Sequence, residues 1–196
     1  MARYSLTAAG VLFLLYPVLR PWHDETTPEG AAAAMGTTLW VVSHVCAMIG
    51  FVLVSLGLLG IRDRIGIGPV AAMWVGTGLT LPYYGAEDFG LYAMATEGDR
   101  SDLLAVADAL RFAPIPAAMF GIGLITVAAA SVWVAVALRD SAARYAAVVF
   151  AAGFVLFIPQ FFGPPAVRIA HGVLVLAGCV WLGFTAAEAS RRTARR

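Results

Sequence analysis

Leu81-Pro82-Tyr83-Tyr84-Gly85-Ala86-Glu87-Asp88-Phe89-Gly90-Leu91-Tyr92 sets two adjacent carboxylates in a stretch that otherwise belongs in lipid. An ionised carboxylate at the centre of a bilayer costs about 2.5–3.5 kcal/mol on insertion scales. A chain that keeps Glu87 and Asp88 there turns them toward a bundle interior, pairs them, or holds them protonated. Each option implies a site. The competing reading sets the pair at the membrane rim, since about twenty residues counted from Pro69 already reach Asp88. Against it, Phe89–Ala95 is still apolar, so the span continues beyond the carboxylates.

The rest of the chain fits a membrane setting. Hydrophobic residues make up 61% of the 196 and charged residues 13%, against about 45–50% and about 25% in soluble domains. In hydrocarbon the backbone satisfies its own hydrogen bonds, so the apolar runs are read as helices. The pattern predicts an all-α polytopic bundle, one integral-membrane domain over 1–196, with about six transmembrane helices. These cover about residues 5–20, 35–60, 69–94, 114–138, 145–162 and 167–187. The first run is followed by Arg20-Pro21-Trp22 rather than a small-residue cleavage site, so it reads as a retained helix.

All 13 basic residues are Arg, and they sort by side. Nine (Arg3, Arg62, Arg64, Arg139, Arg144, Arg191, Arg192, Arg195, Arg196) share one face of the six-span arrangement, and four (Arg20, Arg100, Arg111, Arg168) the other. Basic residues near span ends favour the cytoplasm, which places both termini inside a multi-pass cell-membrane protein. The tail from Arg191 reads as a topology signal and an anchor to anionic lipid. A net charge of +1, with no basic-aromatic surface, gives no reason to expect nucleic acid as a partner. Cys46 and Cys179 lie in separate apolar spans and read as small hydrophobes.

Two connections are long, 21–34 and 96–113, and both fall on the external side. The first reads as an exposed loop. In the second, Ser101 is placed to cap a helix starting at Asp102, with Asp108 and Arg111 on one face. Gly76-Thr77-Gly78 followed by Pro82 predicts a bend in the third span just before the carboxylates.

At about 1.5 Å per helical residue, the polar residues gather at one depth. His44, Glu87, Asp88, Gln160 and His171 all fall in the external half, together with Trp40, Tyr83, Tyr84, Phe157 and Phe161. The cytoplasmic half is almost purely apolar. A regular helix puts Glu87 on one face with Tyr83, Tyr84 and Leu91, and turns Asp88 about 100° away. At most one of the two then looks into a shared cavity.

This set supports more than one chemistry. A neutral carboxylic acid in an apolar site can protonate an alkene or epoxide, and aromatic faces can stabilise the resulting cation. Glu87 and Asp88 are the candidate acids. Trp40, His44, Tyr83, Tyr84, Phe157, Gln160, Phe161 and His171 are the candidate walls for a lipophilic substrate, with no metal or cofactor. The segment Tyr83-Tyr84-Gly85-Ala86-Glu87-Asp88-Phe89 and the small all-helical membrane architecture resemble the membrane-bound terpene cyclases, including the bacterial enzymes that cyclise prenylated indoles. That resemblance implies cofactor-free, acid-initiated cyclisation of an isoprenoid, an isomerase of terpenoid biosynthesis. One alternative is electron transfer through haem b, with His44 and His171 as axial ligands and Arg111 and Arg168 on the propionates. Another is a non-catalytic binding or transport protein. Partners are a lipophilic small molecule and membrane lipids; oligomeric state is not legible.

Overall fold

In the computed structural model, residues 2–193 are described, with side chains from 2 to 186. The basic tail at 191–196 has its side chains outside these described residues. Helices dominate: α1 (Ala2–Leu19), α2 (Pro28–Met35), α3 (Thr38–Leu59), α4 (Arg62–Ile65), α5 (Ile67–Gly85), α6 (Leu91–Thr96), α7 (Leu103–Phe112), α8 (Pro114–Ala137), α9 (Arg144–Val155) and α10 (Pro165–Thr193). There is no strand among the described residues.

Six helices close into a ring. Packing runs from α1 to α3, α5, α8, α9 and α10, and α10 returns to α1. Neighbours run antiparallel. Along α1 and α3, Gly60 lies against Ala2 and Gly50 against Phe13. Along α1 and α10, Gly183 lies against Arg3 and Gly172 against Pro17. The interior is filled by aromatic rings: Phe13 meets Phe51, Phe154 and Phe157 edge-on at centroid distances of 4.9–5.6 Å. Small residues bring the backbones close enough for this packing. At the α5–α8 crossing, a Cβ on Gly76 would stand 2.8 Å from the Gly123 carbonyl oxygen.

Four of these helices are long and apolar enough to cross a membrane: Ala2–Leu19, Thr38–Leu59, Pro114–Ala137 and the Pro165–Ala186 part of α10. The third and fifth expected spans are built differently. α5 runs into a π-helical turn at Ala86–Gly90 and continues as α6, with Gly85, Ala86, Gly90 and Leu91 all in right-handed helical backbone conformation. The irregularity thus falls on the carboxylates themselves rather than before them. α9 has 12 residues and gives way to a 3-10 turn at Pro159–Phe162.

The two long connections are not plain loops. α2 forms in the second half of 21–34 and runs on to Met35, its first turn capped by Thr27, whose hydroxyl oxygen accepts from the Gly30 N–H at 3.1 Å. In the second connection Asp99, not Ser101, is the cap. Its carboxylate accepts from the Ser101 N–H at 2.9 Å and opens a 3-10 turn ahead of α7. The Asp99 side chain, at the last extended residue, reaches that N–H, whereas Ser101 is already inside the turn. α2, α6 and α7 pack as a cap over one end of the ring, around buried Met35, Trp40, Leu91, Ala95, Leu103 and Ala107.

Candidate functional site

A cavity of about 720 Å³ opens at the end of the ring that carries this cap. Its existence stems from the shortness of α9. Because that helix stops at Val155, α8 lacks a full-length neighbour there, and the space passes to the turn that carries Ile158, Phe161 and Phe162. On the α8 side the wall is Ala117, Phe120, Gly121 and Leu124. Two small residues, Ala117 and Gly121, keep it hollow. A Cβ on Gly121 would meet nothing within 4 Å. Phe112 and Phe162 line the space and are 72% and 87% exposed, so they mark its rim.

The aromatic wall is continuous. Tyr83 stacks on Phe120 with centroids 4.0 Å apart, Tyr84 meets Phe120 edge-on at 5.7 Å, and Phe161 lies 5.9 Å from Phe120. Offset and edge-on pairs of this kind set the rings relative to one another as well as burying area.

One boundary of the cavity is a chain of charges. Glu25 accepts from Arg20 through Oε1 at 2.6 Å and from Arg111 through Oε2 at 2.8 Å. Arg111 also donates from Nε to Glu87 Oε1 at 2.9 Å, and its Nη2 forms an ion pair with the same oxygen at 2.8 Å. The order is Arg20–Glu25–Arg111–Glu87, two cations and two anions, all largely shielded from solvent. Burial alone would raise the Glu25 carboxyl, but Arg20 and Arg111 outweigh that and hold it below its ordinary value. The chain ties the α1–α2 connection and α7 to the π turn, three segments distant in sequence.

Glu87 and Asp88 part company at the π turn. A π turn adds a residue to the helical repeat and rotates the rest of the helix about its axis. Glu87 lines the cavity and is ion-paired. Asp88 is fully buried, is not part of the cavity wall, and has no hydrogen-bond partner on either carboxylate oxygen among the described residues. A charge there would have no donor to answer it, a cost of several kcal/mol on the order reckoned for buried ions. The expected 100° split is therefore realised as one cavity residue and one interior residue.

Of the expected wall residues, Tyr83, Tyr84 and Phe161 line the cavity; Trp40, His44, Phe157, Gln160 and His171 do not. Trp40, His44 and Phe157 are buried packing residues, and Gln160 is buried in the 3-10 turn. His44 Nδ1 lies 2.8 Å from the Trp40 carbonyl oxygen. That oxygen only accepts, so Nδ1 carries the proton and Nε2 turns its lone pair to Arg20 Nη1 at 3.4 Å. By the same logic His171 Nε2 donates to the Gly153 carbonyl at 2.7 Å and pins α10 to α9. These residues do not fit haem b: one imidazole faces a guanidinium, the other is committed to backbone, and Arg111 is held by two carboxylates. Among the described residues no group of three or more His, Cys, Asp or Glu is gathered for a metal.

Sequence reasoning passed over Tyr16, Arg20, Glu25 and Phe120, all of which line the cavity. Arg20 read as a charge at a span boundary. The usable signal is its spacing: an acid five residues on, across Pro21-Trp22, can fold back onto it. Phe120 lies in an apolar run and carries no signal of its own.

No protein family, curated protein or solved structure matches the chain.

Proposed function

We propose that this chain is a six-span cell-membrane protein, with both termini cytoplasmic, that binds a lipophilic small molecule in the cavity beside α8. The carrying observation is the cavity itself: about 720 Å³, walled by Tyr83, Phe120, Leu124, Ile158 and Phe161, with a charge layer along one boundary. Binding sites for small molecules are typically about 300–1,000 Å³, mostly apolar, with a few placed polar groups. The aromatic rim at Phe112 and Phe162 offers a route from the level of the lipid headgroups. The six-span reading is supported by the closed ring of six antiparallel helices. The orientation is supported by the Arg residues near the uncapped end, among them Arg62, Arg64, Arg139 and Arg144.

The test is calorimetric titration of the purified chain, in phosphatidylcholine nanodiscs, with farnesol and with hexadecanol. Saturable binding is the expected result. Gly121→Phe should weaken it about tenfold or more, because the new ring takes up free space. No saturable binding of either alcohol, nor of the acid carrying the same hydrocarbon chain, would end the reading.

Acid-initiated cyclisation of an isoprenoid is the second reading, and Asp88 favours it. Its carboxyl is buried with no donor on either oxygen, one residue from the Glu87 that lines the aromatic cavity. In this scheme the Asp88 side chain turns out of the interior to reach the cavity and gives its proton to one alkene carbon. A second alkene of the substrate attacks the resulting cation to close the ring, and the faces of Tyr83 and Phe120 stabilise the new cation. The Asp88 carboxylate then takes back a proton from an adjacent carbon as the final double bond forms. Asp88→Asn would then abolish turnover of a prenylated indole while the protein stays folded. Normal turnover in both Asp88→Asn and Glu87→Gln would eliminate this chemistry.

A further inference from the structure

We infer that the molecule bound in this cavity is a lipophilic anion, with one acidic group, carboxylate or phosphate, seated against Arg168. This rests on the cavity-binding reading and specifies the chemical class of its ligand. Three guanidinium groups line the cavity, Arg20, Arg111 and Arg168, against two carboxylates, Glu25 and Glu87. The chain Arg20–Glu25–Arg111–Glu87 is neutral within itself. Arg168 is left over.

Among the described residues no carboxylate pairs with Arg168. Its Nε donates to the Gly163 carbonyl at 3.2 Å and its Nη2 to the Phe161 carbonyl. Those two bonds fix the plane of the group without neutralising it. No described residue accepts from Nη1. The guanidinium carbon lies 5.2 Å from the Trp22 ring centroid and 5.8 Å from that of Phe161. Arg20 flanks the same Trp22 ring at 5.3 Å, so two cations share one indole. The other charged groups on the cavity, Glu25 and Glu87, are engaged by Arg111 and Arg20. His23 stands exposed at the rim.

A planar, pre-oriented guanidinium with free donors suits a carboxylate or phosphate oxygen. From that point the apolar part of the ligand has one direction to run, along Phe120, Leu124 and Ile158. One surplus cation calls for one negative charge, and the apolar wall calls for an attached hydrocarbon. A free inorganic anion meets only the first of these.

The experiment compares head groups on one chain. Hexadecanoic acid, hexadecyl phosphate, hexadecanol and inorganic phosphate are titrated separately into the full chain in phosphatidylcholine nanodiscs. The two acids should bind about tenfold or more tighter than the alcohol, with the preference falling as salt rises. Inorganic phosphate should not bind measurably. Arg168→Gln should erase the preference and Arg168→Lys should keep most of it. A purely structural role for the Phe161 and Gly163 hydrogen bonds would make both variants fail alike. Equal binding of acid and alcohol by the native chain would overturn this inference and leave the cavity reading standing. Failure of every amphiphile to bind would overturn both. Tight binding of inorganic phosphate alone would show a simple anion site and overturn the lipophilic part.

Discussion

Arg20 decides much at the scale of single residues. It ends an apolar helix, yet it is 8% exposed and depends on Glu25 for its counter-charge. Removing one partner of a shielded ion pair is more damaging than the pair is worth, because the survivor stays desolvated. Glu25→Gln leaves a carbonyl that still accepts but carries no charge, and should lower stability by about 2–3 kcal/mol. Denaturant unfolding of the detergent-solubilised protein measures this. The sign of the pH dependence comes from the same pair. The Glu25 carboxyl is held below its ordinary 4.5, so its stabilisation is complete above that pH. It is lost as pH falls through the lower value of the folded state. The melting temperature of the native chain should therefore be steady between neutrality and about pH 5 and decline below 4.5, and Glu25→Gln should blunt that decline. An identical decline in the variant would assign it to other acids.

Asp88 and His44 show the other side of residue-level reading. Both are polar residues in apolar spans, and such residues are usually directed inward. The sequence alone supports that direction for each. It does not tell a cavity wall from a packed interior, because that depends on what the neighbouring helices place opposite them.

Among the elements, α5 and α8 form the crossing that holds one wall of the cavity. Gly76 and Gly123 meet there with backbone against backbone; a Cβ on Gly76 would sit 2.8 Å from the Gly123 oxygen and from Val127 N. Neither obstacle is a side-chain tip that could swing away. Gly76→Leu should cost at least about 1–3 kcal/mol by forcing the helices apart. The matching control is Gly78→Leu, where a Cβ meets nothing within 4 Å. Thermal unfolding of the two variants separates packing from helix propensity, and equal losses would refute the crossing as the cause. The π turn at Ala86–Gly90 is the second decisive element. The sequence flagged a weak point from Gly76-Thr77-Gly78 and Pro82. It did not show that the helix would absorb the strain as an added residue further on, where α6 must also turn Leu91 and Ala95 into the cap around Trp40. The short α9 is the third. Read as apolar sequence, 145–162 is one span; Pro159, with no N–H to continue the helical ladder, ends the regular helix early, and the 3-10 turn that follows makes room for the cavity.

For the whole molecule, the alternation of six helices separates two ends, and the proposed orientation puts the end with Arg62, Arg64, Arg139 and Arg144 on the cytoplasmic side. In a background with Cys46→Ala and Cys179→Ala, Thr26→Cys should react with a membrane-impermeant maleimide on intact cells. Ser141→Cys should react only after the membrane is opened. The reverse pattern would invert the orientation and put the cavity on the cytoplasmic side. The tie between distant segments is also a property at this scale: Glu25, Glu87 and Arg111 come from three parts of the chain and meet only because the ring closes and the cap folds over it.

The chain's composition and the lengths of its apolar runs by themselves determined an all-helical architecture suited to a membrane, the approximate position of the six apolar helical stretches and the half that holds the polar residues. These come from hydropathy and charge, which act residue by residue along the chain. Tertiary structure alone decided which polar residues share a space. Rotation of each helix about its axis, the π turn beneath Glu87, and the early stop of α9 set the cavity and left Arg168 without a counter-charge. Those outcomes depend on contacts between helices, and no local pattern encodes what will stand across a gap.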